Sequence, residues 1–310
     1  MNALRKFAAW LVRGRTAVIG VPYLWLLAFF LFPFLIVFKI SVSEMEGVVF
    51  KNVLTLTDGV LALTVKLSNY VFITQDDLYF LTYLSSIKYA AITTALCLLI
   101  GYPFAYFMAR AKATIQPALL MLVMLPFWTS FLLRVYAWKG LLSEHGWVSE
   151  LLIALRIDHV LLAMGVIPAL GKFMNSPFSL VLGMVYTYLP FMILPLYGNL
   201  AKLDLRLLEA ASDLGATPWV AFWKVTVPLS KAGIIAGAML VFIPCIGEFV
   251  IPELLGGPQT LMIGRVLWDE FFSNNDWPMA SSVAVVMILL IIVPLAIFNR
   301  YQAQAQEARK

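Results

Sequence analysis

The sequence predicts an all-α polytopic membrane protein with six transmembrane helices, and three observations carry that expectation. Hydrophobic residues make up 62% of the chain and charged residues 13%, too few charges to cover a soluble domain of this length. The apolar stretches run to about 20 residues, which is what a helix rising 1.5 Å per residue needs to cross ~30 Å of hydrocarbon. Lysines and arginines gather in alternate loops, as they do on the cytoplasmic side of helical membrane proteins. No stretch alternates in the sustained two-residue rhythm of a membrane barrel.

In chain order, residues 1–16 are a basic leader with Arg5, Lys6, Arg13 and Arg15. It resembles a signal-peptide start, but the apolar run that follows is too long and lacks a small-x-small cleavage pattern, so 17–40 reads as an uncleaved first span. An outer segment, 41–85, comes next. Further spans are expected at 87–109, 117–138, 178–199, 233–252 and 281–298, with a tail at 300–310. Basic residues in the leader, at 110–112, across 200–231 and in the tail place both termini and the 200–231 loop in the cytoplasm. The opposite loops are acidic, with Glu44, Glu46, Asp76, Asp77, Glu144 and Glu150 among their residues. Such a surface draws in cations within a screening length of about 8–10 Å; the alternative is that outer loops are simply poor in lysine and arginine.

Within the spans, Pro126, Pro190, Pro195 and Pro244 each delete a backbone hydrogen bond and can kink a helix, as gates or as packing bends. Gly233 and Gly237 form a step of small residues suited to close helix contact. Cys97 and Cys245 fall inside spans and offer neither a disulfide framework nor zinc spacing. His145 and His159, the two histidines, sit in a loop.

The cytoplasmic loop 204–228 is the most structured of the connections. Asp204 can cap a helix over 205–214, and Gly215 ends it. Leu207, Ala211 and Leu214 share one face. Thr217 then caps a second helix with Pro218 at its first position, and Trp219, Phe222 and Trp223 give that helix an apolar side. Pro228 is expected to break the chain before the fifth span. The product is a helix–turn–helix knob, with Arg206, Glu209 and Asp213 for polar contacts and leucines and tryptophans for burial.

This loop resembles the coupling loop of ABC importer permeases: Glu209-Ala210-Ala211, three residues, Gly215, then Val225-x-Val227-Pro228. The family more often has Ile and Leu where this chain has the two valines. The resemblance implies a type I (MetI-like) permease fold, with an ABC transmembrane domain over 86–299. It also implies an ATPase-coupling role for Glu209, Ala210, Ala211, Asp213, Gly215, Trp219 and Pro228, with Glu209 pairing a basic residue of a separate ATPase subunit. The chain has no G-x-x-x-x-G-K-[ST], and Gly256-Gly257-Pro258 lacks the lysine that such a phosphate cradle needs. ATP and Mg therefore belong to the partner ATPase. The expectation is no cofactor here, no metal and no catalytic residue, and a translocation subunit rather than an enzyme.

A second resemblance points to the solute. Phe127–Trp138, Val241–Pro244, Gly247–Gly257 and Met262–Trp268 look like polyamine importer permeases, and the likeness runs from about residue 20 to 299, nearest the putrescine-type first permease. It implies a heterodimer with a second homologous permease, two ATPase subunits, a periplasmic polyamine-binding protein and a place in the bacterial inner membrane, in contact with lipid and with no nucleic acid partner. The residues suit a diamine on their own terms. Glu248 lies inside the expected fifth span, where a carboxylate costs roughly 2.5–3.5 kcal/mol on insertion scales. Either it faces the solute path or it pairs structurally with Arg134 of the third span. Glu253 at the outer end is a candidate entry residue. Trp128, Tyr136, Trp138, Tyr188 and Trp268 could hold ammonium groups by cation–π contact, each worth about 0.5–2 kcal/mol, or could anchor the helices at the membrane interface.

Two other classes fit less well. A secondary transporter calls for an inverted repeat and intramembrane ion ligands, and leaves the knob without a purpose. An intramembrane enzyme calls for a nucleophile–base set or metal ligands, and the spans hold no histidine. Within the importer class, a small peptide, an inorganic anion or a ferric ion stays open as the solute.

Overall fold

Capping side chains set where the helices that open at Asp77 and Pro177 begin. The computed structural model describes residues 14–46, 49–50, 54–57, 60–63 and 65–307. Arg5, Lys6 and Arg13 of the leader and the last three residues lie outside that range. Among the described residues four helices are long and apolar enough to cross a membrane, and up to six crossings result if each of two bent helix pairs is one span.

The chain divides into two compact units, the first built from residues 1–75 and 270–287 and the second from 76–269 and 288–310. In the first, α1 (Gly14–Leu26) and α2 (Phe32–Ser41) are joined by a π turn, Leu27–Leu31. Ser41 closes this helix by bonding the Tyr70 hydroxyl at 2.7 Å, and Ser282 donates to the Ser41 carbonyl at 3.0 Å. The all-α fold class holds, with short strands added in the outer segment. Two antiparallel ribbons form there, β1 (Met45–Glu46) with β2 (Val49–Phe50) and β3 (Leu54–Thr57) with β4 (Val60–Leu63). The second has Thr57 opposite Val60, and the sequence between them is Asp-Gly, a strong short-range hairpin signal. A short helix, α3 (Ser68–Gln75), follows.

In the second unit, α4 (Asp77–Arg110) starts ten residues before the expected span because Asp76 caps it, accepting from the Leu78 N–H at 2.8 Å. At 34 residues it is about 51 Å long, well beyond the hydrocarbon thickness. Helix α9 (Pro177–Leu200) opens with a reciprocal Ser176–Ser179 capping box. It packs against α4 and against α13 (Lys231–Ile246). Gly233 and Gly237 make that second contact possible, as expected. A Cβ on Gly237 would lie 3.1 Å from the Met192 carbonyl oxygen, and one on Gly233 would lie 3.1 Å from that of Pro195.

Two spans are not continuous. The third is α5 (Gln116–Met124) with a 3₁₀ turn, Leu125–Trp128, followed by α6 (Phe131–Leu141) at 87°. Pro126 and the extended Thr129–Ser130 link cause the turn. Beyond it lie α7 (Trp147–Ala154) and α8 (Ile157–Ala163), packed around Leu142, Ile167 and Phe173. The fifth span ends at Ile246, not at residue 252, and a separate helix, α14 (Val250–Leu255), follows Gly247. The bend entering this span falls at Ser230, not at Pro228, which sits inside the short helix α12 (Val227–Leu229). Ser230 accommodates the 64° bend by bonding the Tyr102 hydroxyl of α4 at 2.9 Å. The chain ends in α15 (Ile263–Trp268) and α16 (Trp277–Glu307).

Candidate functional site

The knob forms as the sequence anticipates, with small shifts at its ends. Asp204 accepts from the Arg206 N–H at 3.0 Å and leads into α10 (Arg206–Asp213). Gly215, at φ +82°, closes it in the left-handed conformation. Its N–H reaches the Ser212 carbonyl at 2.8 Å and the Ala216 N–H reaches that of Ala211 at 3.0 Å, the paired bonds of a Schellman motif. Thr217 caps α11 (Pro218–Ala221) through the Val220 N–H, and a π turn, Phe222–Thr226, carries the chain on to α12.

One face of the knob is rooted and the other is free. Phe222 packs edge-on against Tyr102 and Tyr106 of α4, at 5.6 and 5.7 Å between ring centres. On the other side Leu214 is 89% exposed, Trp219 70% and Trp223 52%. Glu209, Ala210, Asp213 and Gly215 are exposed with them, as is Pro228 on α12, and Ala211 is half-buried. A cavity of about 640 Å³ lies between Asp204 and Leu207 at the knob's root and Ala232 and Ala236 of α13. The first knob helix packs against α11 and the π turn, with Leu208 and Ala211 half-buried.

The second focus is the break in the fifth span. Glu248 lies in the junction between α13 and α14, not within a helix, and is 9% exposed. Its Oε1 accepts from the Val250 N–H at 3.0 Å and the Phe249 N–H at 3.2 Å, with the Ile251 N–H at 3.5 Å. These are donors that a helix start leaves unpaired. Its Oε2 accepts from the Tyr188 hydroxyl of α9 at 2.5 Å. Glu248 therefore caps a helix and ties it to the fourth span. Gly264 of α15 packs against the same junction; a Cβ there would stand 2.5 Å from the Gly247 carbonyl oxygen and 2.6 Å from that of Glu248.

The structural pairing expected between Glu248 and Arg134 is not formed. Arg134 lies over the rings of Phe127 and Phe131, at 5.7 and 6.0 Å, and its Nε and Nη1 are buried without a hydrogen-bond partner. Glu248 turns instead to Tyr188 and backbone amides, because a break in the helix offers it donors closer than the third span can. The link from Tyr188 to the third span is aromatic: Tyr188 neighbours Phe191, which meets Phe127 edge-on at 5.1 Å.

The other candidates divide by location. Trp268 stacks on Phe249 at 4.5 Å, directly beside the capped break. Glu253 on α14 pairs with Arg265 of α15 at 2.7 Å, a close ionic contact without hydrogen-bond alignment. Trp128 and Tyr136 lie on either side of the third-span bend, both exposed. Trp138 meets Tyr186 edge-on at 5.4 Å. The structure thus gathers Tyr188, Glu248 and Trp268 around one junction and leaves Trp128 and Tyr136 apart from it. Gly264 and Phe249 were missed by sequence reasoning; the Gly247-Glu248 pair ahead of Pro252 was the signal that the helix breaks there. Cys97 and Cys245 are buried free thiols, as expected.

Comparison with known proteins finds relatives over most of the chain. Residues 98–307 match the family described as binding-protein-dependent transport system inner membrane component. The chain is 38% identical over 292 residues to the spermidine/putrescine transport system permease protein PotB of Haemophilus influenzae, covering 94% of both chains. Among solved structures it resembles a bacterial ABC transporter involved in import of the acidic polysaccharide alginate (TM-score 0.58, 16% identity, 97% of this chain and 99% of that one). It also resembles a bacterial alginate ABC transporter in complex with an alginate pentasaccharide-bound periplasmic protein (TM-score 0.56, 16% identity, 93% of each chain). At that identity the likeness to the solved structures concerns the fold alone.

Proposed function

The chain belongs to the family of binding-protein-dependent transport system inner membrane components, and on that premise we propose that it is a permease subunit of an ATP-driven polyamine importer, with putrescine first among its solutes. It is a multi-pass membrane protein and a transport component, not an enzyme. In this reading the 204–228 knob and both termini face the cytoplasm. A second, homologous permease completes the path, two ATPase subunits bind ATP and Mg, and a periplasmic polyamine-binding protein delivers the solute.

The observation that carries the proposal is the exposed apolar side of the knob. Leu214, Trp219 and Trp223 present a surface of the kind that single soluble faces avoid and that partners cover. When the ATPases close, they push this surface. Because Phe222 ties the knob to α4 and Ser230 ties the bend to Tyr102, the push is delivered to the spans. The bundle then opens outward for the solute, and hydrolysis resets it. A cation moving into a negative interior gains about 2.3 kcal/mol per charge per 100 mV, so the ATP cycle serves commitment and accumulation.

In this scheme Glu248 is a positioning residue that holds the break in the fifth span. Glu253, Trp268, Trp128 and Tyr136 stay the candidates for direct solute contact, and the Arg265 pair of Glu253 is where an incoming ammonium would compete. The test is ATP-driven putrescine uptake into proteoliposomes with the full assembly. Glu209→Lys combined with Gly215→Pro should leave the protein inserted and uptake lost. Full uptake by that variant, or uptake without any ATPase subunit, would refute the proposal.

A further inference from the structure

The third span is too short to cross a bilayer before it turns. Its nine α-helical and four 3₁₀ residues rise about 14 and 8 Å, together about 22 Å against ~30 Å of hydrocarbon. It starts just after Arg110 and Lys112, which sit at one membrane edge. At Thr129–Ser130 the chain turns through 87°, so with α5 set along the bilayer normal α6 runs nearly level and adds almost no depth. The segment that follows therefore begins about 8 Å short of the far edge of the hydrocarbon.

The packing of that segment gives the same level independently. Its core around Leu142, Ile167 and Phe173 takes in Phe178 and Leu182, in the first two turns of α9. Helix α9 has 24 residues, about 36 Å of length, so its first two turns lie at the boundary of acyl chains and headgroups.

The exposed surface fits that depth. In α7, Val148 and Leu152 turn into the core, whereas Trp147 (64% exposed), Leu151 and the following Leu155 form an outward stripe at four-residue spacing. Val160 continues it on α8, and Leu133 and Tyr136 of α6 connect it to the surface of the third span. Lys139, Arg156 and Lys172 are exposed in the same segment, as are Glu144 and Glu150, with Arg156 held at φ +56° between α7 and α8. Glu150 is the acid of α7. An apolar stripe with tryptophan and bordering lysine and arginine is the composition of helices that lie in a membrane interface.

We propose that the elbow formed by α6, α7 and α8 is seated in the lipid leaflet remote from the knob. Its Trp147–Leu151–Leu155 stripe contacts acyl chains, and Lys139, Arg156 and Lys172 reach lipid phosphates. The elbow then fixes the height of the third-span bend in the bilayer, and its stripe is withheld from any soluble protein that docks on that side. This depends on the protein being multi-pass and is independent of the solute.

The test is spin labelling at Leu151→Cys, Leu155→Cys and Val160→Cys, read in the assembled transporter in phosphatidylethanolamine–phosphatidylglycerol nanodiscs. Buried Cys97 and Cys245 should take no label, and Leu122→Cys on α5 serves as the hydrocarbon reference. The ratio of collision with oxygen to collision with a nickel chelate should rise several-fold above that of free aqueous label, towards the Leu122→Cys value. A water-like ratio would overturn the proposal. So would shielding from both reagents, which would mean that a protein covers the stripe. Labels that lose uptake are replaced by Leu151→Trp with bromolipid quenching, where added quenching supports the proposal and none overturns it.

Discussion

Replacing Tyr188 by phenylalanine removes one oxygen and leaves the ring, so it isolates the bond that ties the fourth span to the break in the fifth. Glu248 keeps its backbone donors in that variant and is not orphaned. The loss is then one buried hydrogen bond, about 1–3 kcal/mol, or roughly 5- to 140-fold in the equilibrium for opening the junction. Glu248→Ala should cost more. It strips the start of α14 of its cap, about 0.5–2 kcal/mol, and leaves the Tyr188 hydroxyl buried without a partner, about 1–3 kcal/mol more. Glu248→Gln keeps an acceptor for Val250 and a donor for the tyrosine oxygen, and should fall near the Tyr188→Phe value. The double variant, Tyr188→Phe with Glu248→Ala, should cost less than the sum of the two, because no hydroxyl is left stranded. Cys245, buried three residues before Glu248, is a built-in reporter. Its rate of maleimide labelling in nanodiscs, with Cys97→Ser as background, should rise less in Tyr188→Phe and Glu248→Gln than in Glu248→Ala. The reasoning is refuted if Glu248→Gln abolishes uptake while Cys245 labels at the parental rate. The carboxyl would then be touching solute rather than holding a helix.

Two further substitutions probe the same region. Gly264→Ala places a methyl against two backbone carbonyl oxygens that cannot rotate aside. It should cost about 1–3 kcal/mol and speed Cys245 labelling, whereas an unchanged rate would show that α15 has room to shift. Glu253→Gln breaks an ion pair in which both side chains are partly exposed, so stability should change by no more than about 1 kcal/mol. A selective rise in the putrescine concentration needed for half-maximal uptake would then mark Glu253 as an entry residue, and unaltered uptake kinetics would remove it from the path.

Much of this protein was legible in its sequence because the bilayer is a demanding solvent. Every buried backbone group must be satisfied within its own helix, so apolar stretches of span length announce themselves. The knob was legible for a different reason. Gly215, Thr217 and Pro218 act through local backbone chemistry and do in the structure what their positions foretold, while Asp204 bonds the Arg206 N–H from one residue ahead of the N-cap, Leu205. Composition could not reveal the breaks, because Pro126 and Gly247 sit in stretches as apolar as any continuous helix. Whether such a residue kinks a span or ends it depends on who takes up the freed amides.

For the fifth span the answer was a carboxyl. Sequence alone established that an acid at position 248 must be compensated, since its burial in a membrane is costly. It offered two partners for that acid, solute or Arg134. Only the packed structure set Arg134 aside and supplied Tyr188 and three amides as the acid's partners in the protein. The choice rests on distances between residues 60 positions apart in the chain, and such proximity comes from how α9, α13 and α14 pack, which no local pattern of side chains encodes.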